Sequence, residues 1–173
     1  MQFMYIFAKY VLYFLVYSLL GALSETLFRL VIDHQLYGIH GFMHLPLFPI
    51  YGFGAILIIK LLTNLRRNPI LIFIFGSLIA TMLEFMGSLI IEAVFKERIW
   101  DYSSMPFNLD GRVSLISSFG FGIGAIIVVY LIHPLVVKLI NRLPKIPTIS
   151  IATVAFVVLI IDFIYSVIDR LAS

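Results

Sequence analysis

The chain has 173 residues, of which 62% are hydrophobic and only 12% are charged, and its formal net charge is +3. Its mean hydropathy is +1.10, which excludes an ordinary soluble domain and predicts an all-α integral membrane protein, a polytopic helical bundle. The basic residues lie between apolar runs instead of in a patch interleaved with aromatic residues, so nucleic acid is not expected as a partner. The chain contains no cysteine, which excludes thiolate metal sites and a cysteine nucleophile.

Five apolar runs are long enough to be interpreted as transmembrane helices, since a span needs about 20 residues. In chain order, they are predicted at residues 4–32, 46–63, 70–95, 113–137 and 148–168. The first run is longer than the apolar part of a signal peptide, so we expect it to be retained as a helix. Because no length remains for a soluble domain, residues 1–173 are predicted to form a single membrane domain.

The basic residues of the connections predict the orientation in the membrane. With the amino terminus in the cytoplasm, seven lysines and arginines lie on the cytoplasmic side and five lie outside. The two inner turns, at residues 64–69 and 138–147, contain no acidic residue, whereas the outer basic residues have acidic neighbours. We therefore expect a multi-pass protein of the cell (plasma) membrane, surrounded by the lipid bilayer, with a cytoplasmic amino terminus.

Two pairs of similar segments suggest an internal repeat. "YGFGAILII" (51–59) resembles "FGIGAIIVV" (121–129), and "GALSETLFR" (21–29) resembles "GSLIIEAVFK" (87–96). This pattern predicts a parallel repeat of two helical hairpins, residues 1–63 and 70–137, with residues 148–173 as an extra helix. Glu25 and Glu92 would then occupy equivalent positions. The alternative is chance, because short patterns of Gly, Ala and Ile recur in lipid-facing sequences.

Acidic residues within or near the predicted spans are the next signal, namely Glu25, Glu84, Glu92 and Asp162. An acid at the centre of a span costs about 2.5 to 3.5 kcal/mol and usually faces the bundle interior or a wet cavity. Glu25 and Arg29 are four residues apart, so they are expected to pair on one helix face. Glu84 has no basic residue nearby on its helix and should reach another element or be protonated. The alternative for each acid, and the preferred interpretation of Asp162, is a structural role in helix packing.

The connection "RIWDYSSMPFNLDGR" (98–112) is unusually polar for this chain. Its aromatic residues suit a membrane interface and "NLDG" suits a turn, but a solvated connection does not need so many directional polar groups. We therefore predict a loop that folds back over the bundle and caps a polar cavity near the outer face. The predicted ligand-binding residues are Glu25, Arg29, Glu84, Glu92, Trp100, Asp101, Tyr102, Asn108 and Arg112.

Other kinds of site find little support in the sequence. His34, His40, His44 and Asp33 could form a metal site, but Gly41 and Pro46 interrupt the helical spacing, so no metal is expected. No glycine-rich phosphate loop is present, and no cofactor is predicted. A Ser, His and Asp constellation for acyl transfer is not evident, although paired carboxylates could serve as acid and base.

Several of these motifs resemble the family described as "Putative ABC-transporter type IV", a bacterial group of small membrane proteins often labelled permeases. The resemblance depends on "YSLLGALSET" (17–26), "GFMHLPLFPIYGFGA" (41–55), the pair Glu84 and Glu92, "WDYSSMPFNLDGR" (100–112) and "HP" (133–134). It implies a transport component and raises the possibility of a separate ATPase subunit. The chain itself contains neither an ATPase motif nor a recognisable coupling helix.

Three functions stay open at this stage. The preferred one is a permease-like transport or ligand-binding component whose outer cavity holds a small polar or amphipathic ligand. The alternative is an intramembrane enzyme acting on a lipid or lipid-linked substrate, with Glu84 or Glu92 as general acid or base and Arg112 or Arg29 holding a head-group anion. The third is a structural partner subunit.

Overall fold

The computed structural model describes residues 1–33 and 43–172, with the side chains of residues 28, 29 and 31–33 outside that description. Contacts divide the chain into two compact units, Met1–Phe53 together with Val136–Ser173, and Gly54–Leu135. The α-helices are α1 (Gln2–Asp33), α2 (Pro49–Leu62), α3 (Pro69–Phe95), α4 (Leu115–Ile127), α5 (His133–Ile140) and α6 (Lys145–Ala172). Two short strands, β1 (Asn108–Leu109) and β2 (Val113–Ser114), pair antiparallel. The predicted all-α membrane bundle is confirmed.

Within residues 1–33 and 43–172, four helical segments are long and apolar enough to cross a membrane: Gln2–Leu27, Pro69–Phe95, Leu115–Ile140 and Lys145–Ala172. The fifth predicted span is a shorter apolar helix, Pro49–Leu65, which consists of α2 and a 3₁₀ turn. Residues 43–48, just before this helix, are not helical, because Pro46 and Pro49 disfavour helical backbone in the residues that precede them. The protein is therefore a multi-pass membrane protein, and its described part contains four long apolar helical segments and one shorter apolar helix.

Local sequence signals explain where α3 and α4 begin. Asn68 caps α3 by accepting hydrogen bonds from the backbone N–H groups of Ile70 and Leu71. Ser114 caps α4 in a reciprocal capping box with Ser117. A π-helix, Val128–Ile132, joins α4 to α5 just before Pro134, which cannot donate a helical hydrogen bond. Leu115–Ile140 thus remains one continuous helical segment.

The Gly54–Leu135 unit is built on the close packing of α3 against α4. A Cβ added to Gly76 would lie 2.3 Å from the Cβ of Ala125, so the two backbones approach as closely as small residues allow. The apolar core beside this crossing comprises Ile58, Leu62, Ile72, Ala125 and Val129. This packing fixes the face of α3 that carries Glu84 and Ser88.

In the other unit, α1 packs against α6 and the segment before α2 lies between hydrophobic side chains. Met43, Leu47 and Leu159 form its buried cluster. The backbone N–H of Phe48 donates to the carbonyl of Ser18, which ties the start of α2 to α1. Near the other end of α1, Lys9 Nζ donates to the side-chain oxygen of Asn141 at 2.6 Å.

Candidate functional site

A polar stripe follows one face of α3 inside a largely apolar helix. Glu84, Ser88 and Glu92 are spaced by four residues, which places them on one side of the helix, one turn apart. Glu84 and Ser88 are buried, with 8% and 4% of their surface exposed. The stripe therefore needs polar partners from another part of the protein.

The connection between α3 and α4 supplies these partners because it folds into a tight hairpin. The turn from Leu109 to Arg112 has positive φ at both central residues, Asp110 (54°) and Gly111 (65°). Gly111 is required here, since a Cβ would lie 2.4 Å from Ser103 Oγ and 2.6 Å from a carboxylate oxygen of Asp101. The hairpin directs Arg112 back toward α3.

Arg112 connects the hairpin to the polar stripe and is only 6% exposed. Its Nη1 donates to Ser88 Oγ at 3.0 Å, its Nη2 donates to the Glu92 carboxylate, and its Nε donates to Asp110 at 2.9 Å. Arg98 Nε donates to the other oxygen of Glu92 at 3.2 Å. The hydrogen bond to Glu92 raises the pKa of the Arg112 guanidinium above its usual range. Arg112 and Glu92 thus form the charged link between the loop and α3.

Glu84, the deepest acid of the stripe, is held by the same loop. The hydroxyl of Tyr102 donates to Glu84 Oε1 at 2.8 Å. The backbone N–H of Tyr102 donates to the carbonyl of Gly111 at 2.7 Å, which holds Tyr102 against the hairpin. Trp100 makes a second such contact, since its Nε1 donates to the carbonyl of Arg112 at 3.0 Å. The loop therefore covers the stripe with a phenol over Glu84 and a guanidinium over Ser88 and Glu92.

Two further predicted site residues are exposed and shape the loop. Asp101 accepts hydrogen bonds from the backbone N–H and the hydroxyl of Ser103, which hold the pKa of its carboxyl below the usual range. Asn108 donates to the carbonyl of Met105 at 2.8 Å and accepts from the N–H of Gly111. In this arrangement, Asp101 and Asn108 stabilise the loop backbone, whereas Tyr102 and Arg112 contact α3.

Glu25, in the other unit, also accepts a hydrogen bond from a tyrosine hydroxyl. Tyr51 of α2 donates to Glu25 Oε2 at 2.8 Å. The predicted partner Arg29 has its side chain outside the described residues, so the pairing of Glu25 with Arg29 stays a prediction. Lys96, the basic residue nearest to Glu92 on the helix, lies at the left-handed end of α3, and its Nζ donates to the carbonyl of Ala93. Arg98 and Arg112 neutralise Glu92 instead.

A cluster around His44 was not predicted from the sequence. His44 Nδ1 lies 2.8 Å from Ser166 Oγ, and its Nε2 lies 3.5 Å from a carboxylate oxygen of Asp169. The N–H of Leu45 donates to Asp162 at 3.2 Å, a contact compatible with the structural role preferred for Asp162 from the sequence. These three α6 residues share one helix face, which is the signal that could have revealed the cluster. The metal candidates His34 and His40 lie outside the described residues.

A groove of about 500 Å³ lies between α1 and α6 in the same unit. It is lined by apolar side chains, among them Leu15, Val154 and Leu159. Its chemistry differs from that of the polar outer cavity predicted from the sequence. Of the residues in that prediction, Glu84, Glu92, Tyr102 and Arg112 meet where the loop contacts α3, whereas Glu25 lies in the other unit.

The family model described as "Putative ABC-transporter type IV" matches residues 12–167, which include α3, the loop and most of α6. The chain belongs to this family. No curated protein and no solved structure gives a significant match. This type IV family member is accordingly a membrane transport-related protein whose helices fit a lipid bilayer.

Proposed function

We propose that this type IV family member is a permease-like component that binds a small polar or amphipathic ligand at Glu84 and Tyr102. The observation that carries the proposal is a buried carboxylate in a long apolar helix, covered by a tyrosine from the loop. An acid in a span is costly to insert, and such acids commonly mark ligand or ion pathways. Glu84 is therefore the residue to which we assign ligand binding.

The chemistry of the pair indicates the class of ligand. An ionised carboxylate only accepts hydrogen bonds, and a phenol both donates and accepts. A ligand that replaces Tyr102 at Glu84 must therefore bring a donor, and an ammonium group adds a favourable charge to the hydrogen bond. The surrounding helices are apolar, so an alkyl chain beside the ammonium group would be compatible with the site.

Glu92 and Arg112 support the site as parts of the loop anchor. All three nitrogens of the Arg112 guanidinium already donate, to Ser88, Glu92 and Asp110. This speaks against the enzyme alternative in which Arg112 holds a head-group anion. It also leaves Glu92 committed to two arginines, which does not suit a general acid or base.

The proposal includes a cytoplasmic amino terminus and the cell membrane as the location. In that orientation, the α3–α4 loop and its anchor face outward, and the basic turns face the cytoplasm. A separate ATPase subunit would bind on the side of the basic turns. Pull-down of the tagged protein from its native membrane tests this part, with recovery of an ATPase expected and its absence contradicting it.

Thermal unfolding of the purified protein tests the ligand site. Ammonium ions with alkyl chains of increasing length are the probes, and alkanesulfonates of equal length are the control ligands. A ligand at 100 times its dissociation constant stabilises a protein by about 2.7 kcal/mol. We expect stabilisation by alkylammonium and none by alkanesulfonate.

Variants matched in charge show where alkylammonium binds. Glu84→Gln and Tyr102→Phe should abolish the stabilisation by alkylammonium, whereas Glu97→Gln, an exposed residue of the same charge, should retain it. If all variants respond like the wild-type protein, or if sulfonates stabilise equally, binding does not occur at Glu84 and the proposal fails.

A further inference from the structure

The two units contain the same contact between a glycine and a helix. A Cβ added to Gly52 would lie 2.2 Å from Ser18 Oγ and 2.7 Å from the ring of Phe14. A Cβ added to Gly122 would lie 2.3 Å from Ser77 Oγ and 2.6 Å from the ring of Phe73. In both cases, a glycine of a later helix packs against a phenylalanine and a serine that are four residues apart on an earlier helix.

The two serines share a second, unusual property. Among the described residues, Ser18 Oγ and Ser77 Oγ are buried oxygens without a hydrogen-bond partner. Each oxygen lies against its glycine, close to the position that a Cβ would occupy. The same unsatisfied hydroxyl in the same position of two helix pairs supports a common origin of the two pairs.

These contacts define an alignment of the α1 sequence with the α3 sequence. It differs from the alignment that the glutamate motifs predict. Residues 14–25, "FLVYSLLGALSE", align with residues 73–84, "FIFGSLIATMLE", at an offset of 59. Phenylalanine, serine and glutamate coincide in this alignment. Glu25 therefore corresponds to Glu84, and Glu92 corresponds to Asp33.

The corresponding glutamates also make corresponding hydrogen bonds. Glu25 accepts from Tyr51 and Glu84 accepts from Tyr102, each at 2.8 Å. The tyrosines themselves are not equivalent, because Phe121 occupies the position of Tyr51 in the glycine motif of α4. In the second copy, the loop supplies the hydroxyl that α2 supplies in the first.

We infer that the chain is an internal duplication in which Glu25 and Tyr51 form a second carboxylate–tyrosine site, the counterpart of Glu84 and Tyr102. The register follows from the helix contacts alone. The assignment of ligand chemistry to Glu25 rests on the proposed function of Glu84, and it predicts two sites per chain for a hydrogen-bond-donating ammonium group.

The register is tested by compensation within each unit. Gly52→Ala should lower the unfolding temperature, and adding Ser18→Gly should restore part of the loss. In the other unit, Gly122→Ala should lower the unfolding temperature and adding Ser77→Gly should restore part of it. Phe85→Gly is the control, since Phe85 would correspond to Ser18 if Glu25 corresponded to Glu92. Rescue of Gly122→Ala by Phe85→Gly, or rescue in only one unit, would overturn the duplication.

The second site is tested by counting bound hexylammonium through equilibrium dialysis of the purified protein. We expect two per wild-type chain, one for Glu25→Gln, one for Glu84→Gln and none for the double variant, with Glu97→Gln binding two. One ligand per wild-type chain, lost only in Glu84→Gln, would overturn the second site and leave the proposed function intact. No binding by the wild-type chain would overturn both sites, whereas the compensation experiment would still decide the register.

Discussion

Replacing Arg112 by methionine tests how the α3–α4 loop is held. The substitution keeps a long side chain but removes the donors to Ser88, Glu92 and Asp110. Ser88 is buried, so its hydroxyl loses a partner that water cannot easily replace. The Glu92 side chain is 35% exposed and keeps Arg98, so part of its loss is compensated.

The stability lost in Arg112→Met depends on how deeply its two α3 partners, Ser88 and Glu92, are buried. Removing one partner of a fully buried ion pair costs about 3 to 5 kcal/mol, whereas exposed pairs contribute about 0 to 1 kcal/mol. With a buried arginine and a partly exposed glutamate, we expect Arg112→Met to destabilise the protein by about 2 to 3 kcal/mol. Arg112→Lys keeps the charge but cannot reach three acceptors, so its effect should be smaller.

Thermal unfolding in detergent measures the stability, and Lys96→Met, which removes an exposed positive charge, is the control. Loop release is measured separately by thiol labelling of Ser104→Cys, since the chain has no other cysteine. Arg112→Met should lower the unfolding temperature and accelerate the labelling, whereas Lys96→Met should change neither. Unchanged stability and labelling in Arg112→Met would refute the anchoring role of Arg112.

Other predictions concern packing, topology and the His44 cluster. Gly122→Ala should destabilise the protein by about 1 to 3 kcal/mol because the added methyl group meets Ser77. Gly124→Ala should be tolerated because no atom of the described residues outside its own helix lies within 4 Å of its Cβ position. Equal unfolding temperatures of the two variants would contradict this prediction. Single cysteines at positions 68 and 104 should be labelled from opposite sides of the membrane, with position 68 cytoplasmic; labelling from one side would contradict the predicted topology. Asp162→Asn weakens the acceptor for Leu45 N–H, so thermal unfolding should show a loss of about 1 kcal/mol; an unchanged unfolding temperature would contradict that structural role.

The helices could be predicted well because long apolar runs have few alternatives to helix in a membrane. Predicted and observed bounds agree within a few residues for α1, α3 and α6. The start of α2 was less predictable. The apolar run begins at Pro46, but the helix begins at the second proline of the run, Pro49. The π-helix before Pro134 has no hydropathy signal.

The site was predictable in its residue types but not in its pairings. The density of polar groups in the loop predicted a loop that folds back over the bundle, and the positive φ values at Asp110 and Gly111 explain how Arg112 reaches α3. The partner of Glu84 could not be predicted, because hairpin geometry determines which loop side chain reaches the helix. Sequence similarity also suggested that Glu25 corresponds to Glu92. The contacts of Gly52 and Gly122 instead favour a correspondence of Glu25 with Glu84.

An experimental structure of the protein with bound hexylammonium tests the central claim most directly. The account predicts density for the ammonium group within hydrogen-bonding distance of the Glu84 carboxylate, with Tyr102 displaced from Glu84 or shared with the ligand, and loss of that density in Glu84→Gln. Density confined to the apolar groove lined by Leu15, Val154 and Leu159, with the Tyr102 hydrogen bond to Glu84 unchanged, would contradict it.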